Sequence, residues 1–369
     1  MKFSKVAGIG LGVLGVTLGW IVAPVSAQEE SPTGLERRVD QLESSVEERI
    51  GGDEWLTSVE FSGLIEVEAG YGEVDFEDPL AEDEEADDVD LATVEFGVEA
   101  QIAPHVTGSV LFLYEDDELT VDEGFVTLDG GDVFPGYLVG GKMYIPFGGY
   151  ETHFVTDPNT LVLGETGEGA ILAGVVLGDD MVDLSVGAYN GRAKEAGDDD
   201  SIDSFVAAAV AAPTDFLAVG VSYTSNLGGS DSLSEVLTAP EELDSMVGGW
   251  CAFATVTLAD RITLIGEYLG AIDDFKSGEL YAEDDGKERR PAAWNVELGV
   301  AILDNLEVAG RYGGADDGGA DFLPETQYGG VINWGLFDNT NLALEYMHGD
   351  FEDDFQEEDT FTAQLAVEF

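Results

Sequence analysis

The chain has a single cysteine, Cys251, in 369 residues, so no intramolecular disulfide can staple it. Bases are scarce: 14 Lys and Arg stand against 77 Asp and Glu, a formal net charge of −63 that excludes nucleic acid as a partner. There are only three histidines, His105, His153 and His348. No Ser/His/acid set can be placed on neighbouring strands around them, so an enzyme is not expected. Beyond residue 27 no run of 18 consecutive apolar residues occurs, which leaves no membrane-spanning helix. No stretch has the spacing of an EF-hand loop, and neither a metal site nor a cofactor is expected.

What is present begins with a leader-like segment. Lys2 and Lys5 precede an apolar run from Val6 to Val22 that contains five glycines, and Val25-Ser26-Ala27 follows. That is the pattern of a secretory signal peptide over residues 1–27. In residues 28–55, Leu35, Val39, Leu42 and Val46 are spaced four, three and four apart among charged residues. The spacing predicts a short heptad helix, lying on the barrel or frayed in the periplasm, or else serving oligomerisation.

From residue 56 onward the pattern changes to period two. Val59, Phe61, Gly63, Ile65, Val67, Ala69 and Tyr71 share one face of the first strand, and Glu60, Ser62, Glu66 and Glu68 share the other. Residues 361–369, F-T-A-Q-L-A-V-E-F, alternate in the same way, with Phe361, Ala363, Leu365, Val367 and Phe369 on one face. Short Gly-, Pro-, Asn- or Asp-bearing turns lie near residues 103, 129, 178, 213, 260, 304 and 338. The connections between them are mostly long and polar. Seven turns and eight opposite connections imply sixteen antiparallel strands, with fourteen and eighteen as alternatives. Sorted loops, an even count and apolar/polar alternation predict an all-β transmembrane barrel over residues 56–369, in contact with outer-membrane lipid. A barrel of this width leaves an aqueous channel, and no separate plug domain is expected. A homotrimer would suit both the strand number and the heptad helix.

Acidity runs through every loop: eleven carboxylates lie within residues 72–90 and seven within 350–359. This reads as adaptation to high salt or as a cation funnel, and in either case the field draws small cations and repels anions at low salt. Against that background the spacing of Tyr137, Val139, Gly141, Met143 and Ile145 predicts an outward apolar face, which turns Lys142 toward the lumen. Parity gives Arg311 a lumen position as well. Lys142 and Arg311 are therefore candidates for meeting an anionic solute, with local carboxylates as the alternative partners. The connection Pro146–Gly167 contains Phe147, Tyr150, Phe154, Leu161 and Leu163, too apolar for a loop left in water. Its prolines and glycines exclude a regular strand. It is expected to fold inward as a constriction, with Tyr150, Glu151, His153 and Asp157 as polar groups facing the lumen.

Within the same segment, P-F-G at Pro146–Gly148, E-x-H-F at Glu151–Phe154, D-P at Asp157-Pro158 and L-G-E-T at Leu163–Thr166 resemble the LbtU-type siderophore porins of Gram-negative outer membranes. The strand F-S-G-L-I-E-V-E-A at Phe61–Ala69 is similar to that family's first strand, as is the order of leader, heptad helix and barrel. The resemblance implies an outer-membrane barrel that admits ferric siderophores without a plug. The residues read without it suggest a general cation-preferring diffusion porin.

Overall fold

The computed structural model describes residues 58–76, 83–115, 118–131, 133–178, 180–197, 202–239, 242–281, 286–352 and 356–369. The leader-like segment and the heptad segment lie outside them. The strands are β1 (Ser58–Phe76), β2 (Glu84–Ala103), β3 (Val106–Glu115), β4 (Glu118–Asp129), β5 (Gly136–Tyr144), β6 (Gly167–Leu177), β7 (Val182–Tyr189), β8 (Lys194–Glu195) and β9 (Ser204–Thr214). They continue as β10 (Leu217–Thr224), β11 (Glu242–Leu243), β12 (Gly249–Leu258), β13 (Ile262–Ala271), β14 (Ala292–Leu303), β15 (Leu306–Asp316), β16 (Thr326–Phe337), β17 (Thr340–Asp350) and β18 (Gln356–Glu368). Sixteen of them close one barrel, each antiparallel to its neighbours, and β8 pairs with β11 in a separate two-stranded ribbon. Closure comes from β1 against β18, in register from Leu64↔Glu368 to Phe76↔Gln356, and it leaves no open sheet edge. Among the described residues no helix is long and apolar enough to cross a membrane.

Alternation becomes geometry on the barrel wall. On β1, Phe61, Ile65, Val67 and Tyr71 are exposed, and on β18 so are Phe361 and Leu365, while Gln364 is buried and donates to the Glu68 carboxylate at 2.7 Å. Side chains exposed on the outside of a closed barrel form the apolar band that faces lipid. Aromatic residues collect at the long-loop ends of the strands. Tyr223 stands directly across from Trp250, Tyr268 from Trp294, Tyr312 from Tyr328 and Tyr346 from Phe361. Rings also meet along the belt, Trp250 with Tyr268 at 5.1 Å and Trp294 with Tyr312 at 5.2 Å between centroids. Phe134, Phe216, Phe337 and Phe369 are exposed at the short-turn end. Two aromatic levels with an aliphatic band between them suit the two interfaces of a bilayer.

Left-handed backbone recurs at the short turns, at His105 (φ 68°), Gly178 (φ 70°), Ala259 (φ 51°) and Asn339 (φ 55°). His105 sits exposed at its turn, 2.9 Å from Asp129.

One strand departs from the alternation expected of it. On β5 the fully buried residues are Val139 and Met143, followed by Ile145, whereas Leu138 and Lys142 are exposed. The apolar face of β5 therefore points into the barrel, and Lys142 points out, where its ammonium donates to the Val121 carbonyl at 3.0 Å. The expectation that Lys142 faces the lumen is corrected accordingly. The physical reason is that the inner side of β5 does not meet water. It packs on Phe147 and Leu163 of the chain that follows, and on Leu172 of β6. An apolar core thus lies inside the barrel, extended at the mouth by Leu227, Leu233, Leu243, Phe275, Leu280 and Leu323 from the long loops.

Candidate functional site: the loop inside the lumen

Residues 145–166 leave the end of β5, run through the barrel interior and return to β6, with Ile145 N donating to Thr166 O at 3.0 Å across the neck. The course is irregular because Pro146, Gly148 (φ 98°), Tyr150 (φ 52°) and Pro158 break any ladder. One short helix, α1 (Asn159–Gly164), forms near the return. Such a segment carries backbone N–H groups with no strand to receive them, and burial makes each one costly to leave unpaired.

Lumen carboxylates on the opposite wall accept those donors. Glu267 on β13 accepts from Gly149 N at 2.7 Å, from Tyr150 N at 3.2 Å and from Thr160 Oγ1 at 2.8 Å. Glu297 on β14 accepts from His153 N at 2.7 Å and Thr152 Oγ1 at 2.8 Å. Glu345 on β17 accepts from Val155 N at 2.5 Å and Thr156 N at 3.2 Å. The three carboxylates take the loop's backbone donors in chain order, so the loop is fastened to β13, β14 and β17. Ser222 Oγ on β10 accepts from Gly148 N at 3.0 Å, and Asn333 on β16 donates to His153 O at 2.8 Å.

Arg311 on β15 locks the middle of this arrangement. Its side chain is wholly buried, 2.9 Å from Glu297, itself wholly buried. The guanidinium also donates to Thr152 Oγ1 at 2.5 Å and Asp157 O at 3.2 Å, and it stacks 4.4 Å from the Phe154 ring centroid. Arg311 is on the lumen face, as parity predicts, and its hydrogen bonds go to the loop and to Glu297. Beside it His153 Nδ1 lies 2.7 Å from Glu307. Burial lowers the basicity of this imidazole, but the hydrogen bond and charge of Glu307, with Glu297 and Glu151, carry it above the ordinary histidine value. Gly299 makes room for the ring, since a side chain there would run into it.

The other loop residues singled out in the sequence are distributed unevenly. The Tyr150 hydroxyl is buried and has no hydrogen-bond partner. Glu151 is exposed and accepts from Thr255 Oγ1 at 2.5 Å. Asp157 lines a cavity of about 610 Å³ on the loop's free side, between it and β1, β2, β17 and β18. Glu68, Asp88, Asp90, Asp321 and Glu358 line the same cavity, and among the described residues around it there is no Lys or Arg. Tyr150, Glu151, His153, Asp157 and Arg311 are thus gathered on or against one loop, whereas Lys142 is not. In the long connection after β13, Arg289 lies 3.7 Å from Asp317 and 3.6 Å from Glu352.

Residues not anticipated from sequence are Glu267, Glu297 and Glu345. Each is a lone carboxylate between large apolar residues or glycine in mid-strand: Gly-Glu-Tyr at 266–268, Val-Glu-Leu at 296–298 and Leu-Glu-Tyr at 344–346. At the return of the loop, Glu165 is buried and its Oε2 has no partner. Burial, then the charges of Asp157 and Asp231, push its carboxyl up to about 9.

Two stability predictions arise from these contacts. Glu297→Ala strands a buried guanidinium and should lower unfolding stability by about 3–5 kcal/mol, with most of the loss recovered in E297A/R311M. Urea unfolding in detergent measures both; equal midpoints for wild type and E297A would contradict the assignment. Glu165 is raised above its unfolded value near 4.3, so the stability it permits is complete below that pH and is lost as pH climbs toward about 9. Glu165→Gln should therefore match wild type near pH 4 and exceed it increasingly at neutral and alkaline pH. The slope is at most about 1.4 kcal/mol per pH unit.

No family model matches the chain. A UPF0422 protein of Coxiella burnetii is 25% identical over 311 residues, covering 79% of this chain and 64% of the relative. A UPF0422 protein of Legionella pneumophila strain Lens is 24% identical over 309 residues, covering 74% and 56%. The chain spans less than two thirds of the length of these relatives. Among solved structures, the outer-membrane channel DcaP of Acinetobacter baumannii superposes with TM-score 0.60 at 16% identity, over 85% of this chain and 97% of that one. OmpF of Salmonella typhi, solved with daunomycin, gives 0.54 at 13% identity over 84% and 97%. OmpT of Vibrio cholerae gives 0.54 at 12% identity over 86% and 100%. The chain therefore has the fold of these porin-like outer-membrane channels.

Proposed function

We propose that the protein is a passive outer-membrane diffusion channel that prefers cations and is narrowed by residues 145–166. The observation that carries this reading is the cavity beside the loop, where Asp88, Asp90, Asp157 and Glu358 meet without a Lys or Arg among the described lining residues. A low-dielectric wall lined by one sign of charge concentrates counter-ions and speeds their entry. Asp157 is the loop's contribution to this path, and Glu151 stands outside the cavity, accepting from Thr255. Tyr150, His153 and Arg311 hold the loop in shape, and Lys142 takes no part.

Uptake of ferric siderophores is the second reading. It is supported by the resemblance of the loop and the first strand to LbtU-type porins, while the relatives found carry only the UPF0422 name. It requires a saturable site in the pore, which simple diffusion does not.

Planar-bilayer recording of the refolded protein separates the two. In a salt gradient the reversal potential should report cation preference that weakens as salt rises, because the Debye length falls from about 10 Å at 0.1 M to about 3 Å at 1 M. D90N/D157N should reduce the cation-to-anion permeability ratio roughly twofold or more at low salt. Anion preference in the wild type would overturn the reading. Saturable block by a ferric siderophore, absent with its iron-free form, would favour uptake. Deletion of residues 148–164 should raise single-channel conductance, and unchanged conductance would remove the constriction role.

A further inference from the structure

His348 is set apart from the other two histidines by what its ring faces. His105 has one carboxylate beside it and His153 has one, but both nitrogens of His348 meet carboxylates. Its Nδ1 lies 3.0 Å from Asp359 Oδ1 and its Nε2 lies 3.1 Å from Asp350 Oδ1. A neutral imidazole carries one N–H and one lone pair. It can donate to one carboxylate only, and its lone pair then points at the other. The arrangement therefore calls for a second positive group, either an extra proton or a metal ion lying between nitrogen and oxygen.

The surroundings favour the metal. Asp359 Oδ1 also accepts from the Tyr346 hydroxyl at 2.6 Å, so this carboxylate is held in place and serves as the acceptor for Nδ1–H. That leaves Nε2 as the free donor of electrons, the orientation that metal-binding histidines acquire from a carboxylate behind them. Across the hairpin, Glu357 pairs directly with Asp350, and His348 pairs directly with Asp359. One ligand atom from each of His348, Asp350 and Glu357 falls within 4.8 Å of the other two. Metal–ligand bonds of 2.0–2.2 Å place tetrahedral ligands about 3.4 Å apart, so small side-chain rotations bring the three atoms onto one ion. Residues 348 and 350 continue the outward column of Leu344 and Tyr346, just beyond the aromatic belt, and the His348 ring lies 4.9 Å from that of Tyr328. The three side chains thus stand on the outward face of the hairpin, opposite to Glu345 and Met347, although His348 also borders the cavity beside the loop.

We propose that His348, Asp350 and Glu357 bind one divalent transition ion, Zn²⁺ by ligand chemistry, at the outer end of the β17–β18 hairpin, with Asp359 as the residue that orients the histidine. An imidazole ligand selects Zn²⁺ over Mg²⁺ and Ca²⁺, which prefer all-oxygen sites. One coordination position remains for water.

The test is isothermal titration of the full refolded chain in detergent with Zn²⁺, in excess Mg²⁺ and Ca²⁺ to saturate the ordinary carboxylates. About one tight Zn²⁺ per chain is expected. His348→Gln and Asp350→Asn should each weaken it tenfold or more, Asp359→Asn by roughly 10- to 100-fold, and His105→Gln should leave it unchanged. Co²⁺ bound to the unmutated protein should give the visible absorption of a low-coordinate site, a readout independent of any variant's folding. Absence of tight Zn²⁺ binding by wild type, or tight binding retained in H348Q, overturns the proposal and leaves His348 as an imidazolium held between two carboxylates.

Discussion

The pairing of loop N–H groups with wall carboxylates is the interaction on which the interior of this barrel depends. A strand-broken segment cannot enter a narrow lumen unless its backbone donors find acceptors, and water is a poor source of them once side chains close around the chain. Glu267, Glu297 and Glu345 supply charged acceptors at spacings that follow the loop's path. Charge-assisted bonds of this kind are stronger than neutral ones, and they come with a cost: each carboxylate is buried and depends on the loop as much as the loop depends on it. Arg311 resolves the most deeply buried part of that conflict by placing one positive charge beside Glu297 where the loop turns. Without the loop the barrel would still close, since closure is a property of β1 and β18, but its inner wall would change character from packed to wet.

This dependence also explains why the alternation rule fails on β5. On β1 and β18 the inner face meets water and is polar, and the sequence reads correctly. On β5 the inner face meets Phe147 and Leu163, so both faces must be apolar or small, and the only charge, Lys142, is pushed to the outside. A period-two pattern reports which face is polar. It cannot report which face is inside when a loop has replaced the water. The sixteen strands, the sorted turns and the inward fold of residues 145–166 were legible because they follow from periodicity, turn chemistry and the apolar content of one connection. The carboxylates that receive the loop were not, because in a chain with 77 acidic residues a single Glu in mid-strand carries no distinguishing mark. The apolar packing of Leu227, Leu233, Phe275 and Leu280 escaped notice for a related reason: these residues are scattered through connections dominated by Asp and Glu.

The acidic excess is consequently not one property. Glu267, Glu297 and Glu345, on the loop-bearing side of the lumen, are engaged as hydrogen-bond acceptors of the loop. Carboxylates on the opposite side, around Glu68, Asp90 and Glu358, stand on the cavity with no base among the described residues lining it. A count of charges treats both alike, whereas the barrel separates them by whether a donor is within reach. For the same reason, surface acidity in the loops and acidity along the path are separable causes of the same composition.

The separation has a consequence for how the channel's field is built. Burying the carboxylates of β13, β14 and β17 under the loop removes them from the lumen but keeps their charge in the structure, partly balanced by Arg311 and His153. Glu68, Asp88 and Asp90 of β1 and β2 line the cavity instead, with Asp157 of the loop facing them, and no Lys or Arg is among the described lining residues. In a low-dielectric wall the field of such carboxylates acts over several ångströms before salt screens it. The loop therefore acts on the lumen in two ways at once, by occupying volume and by engaging the carboxylates of β13, β14 and β17.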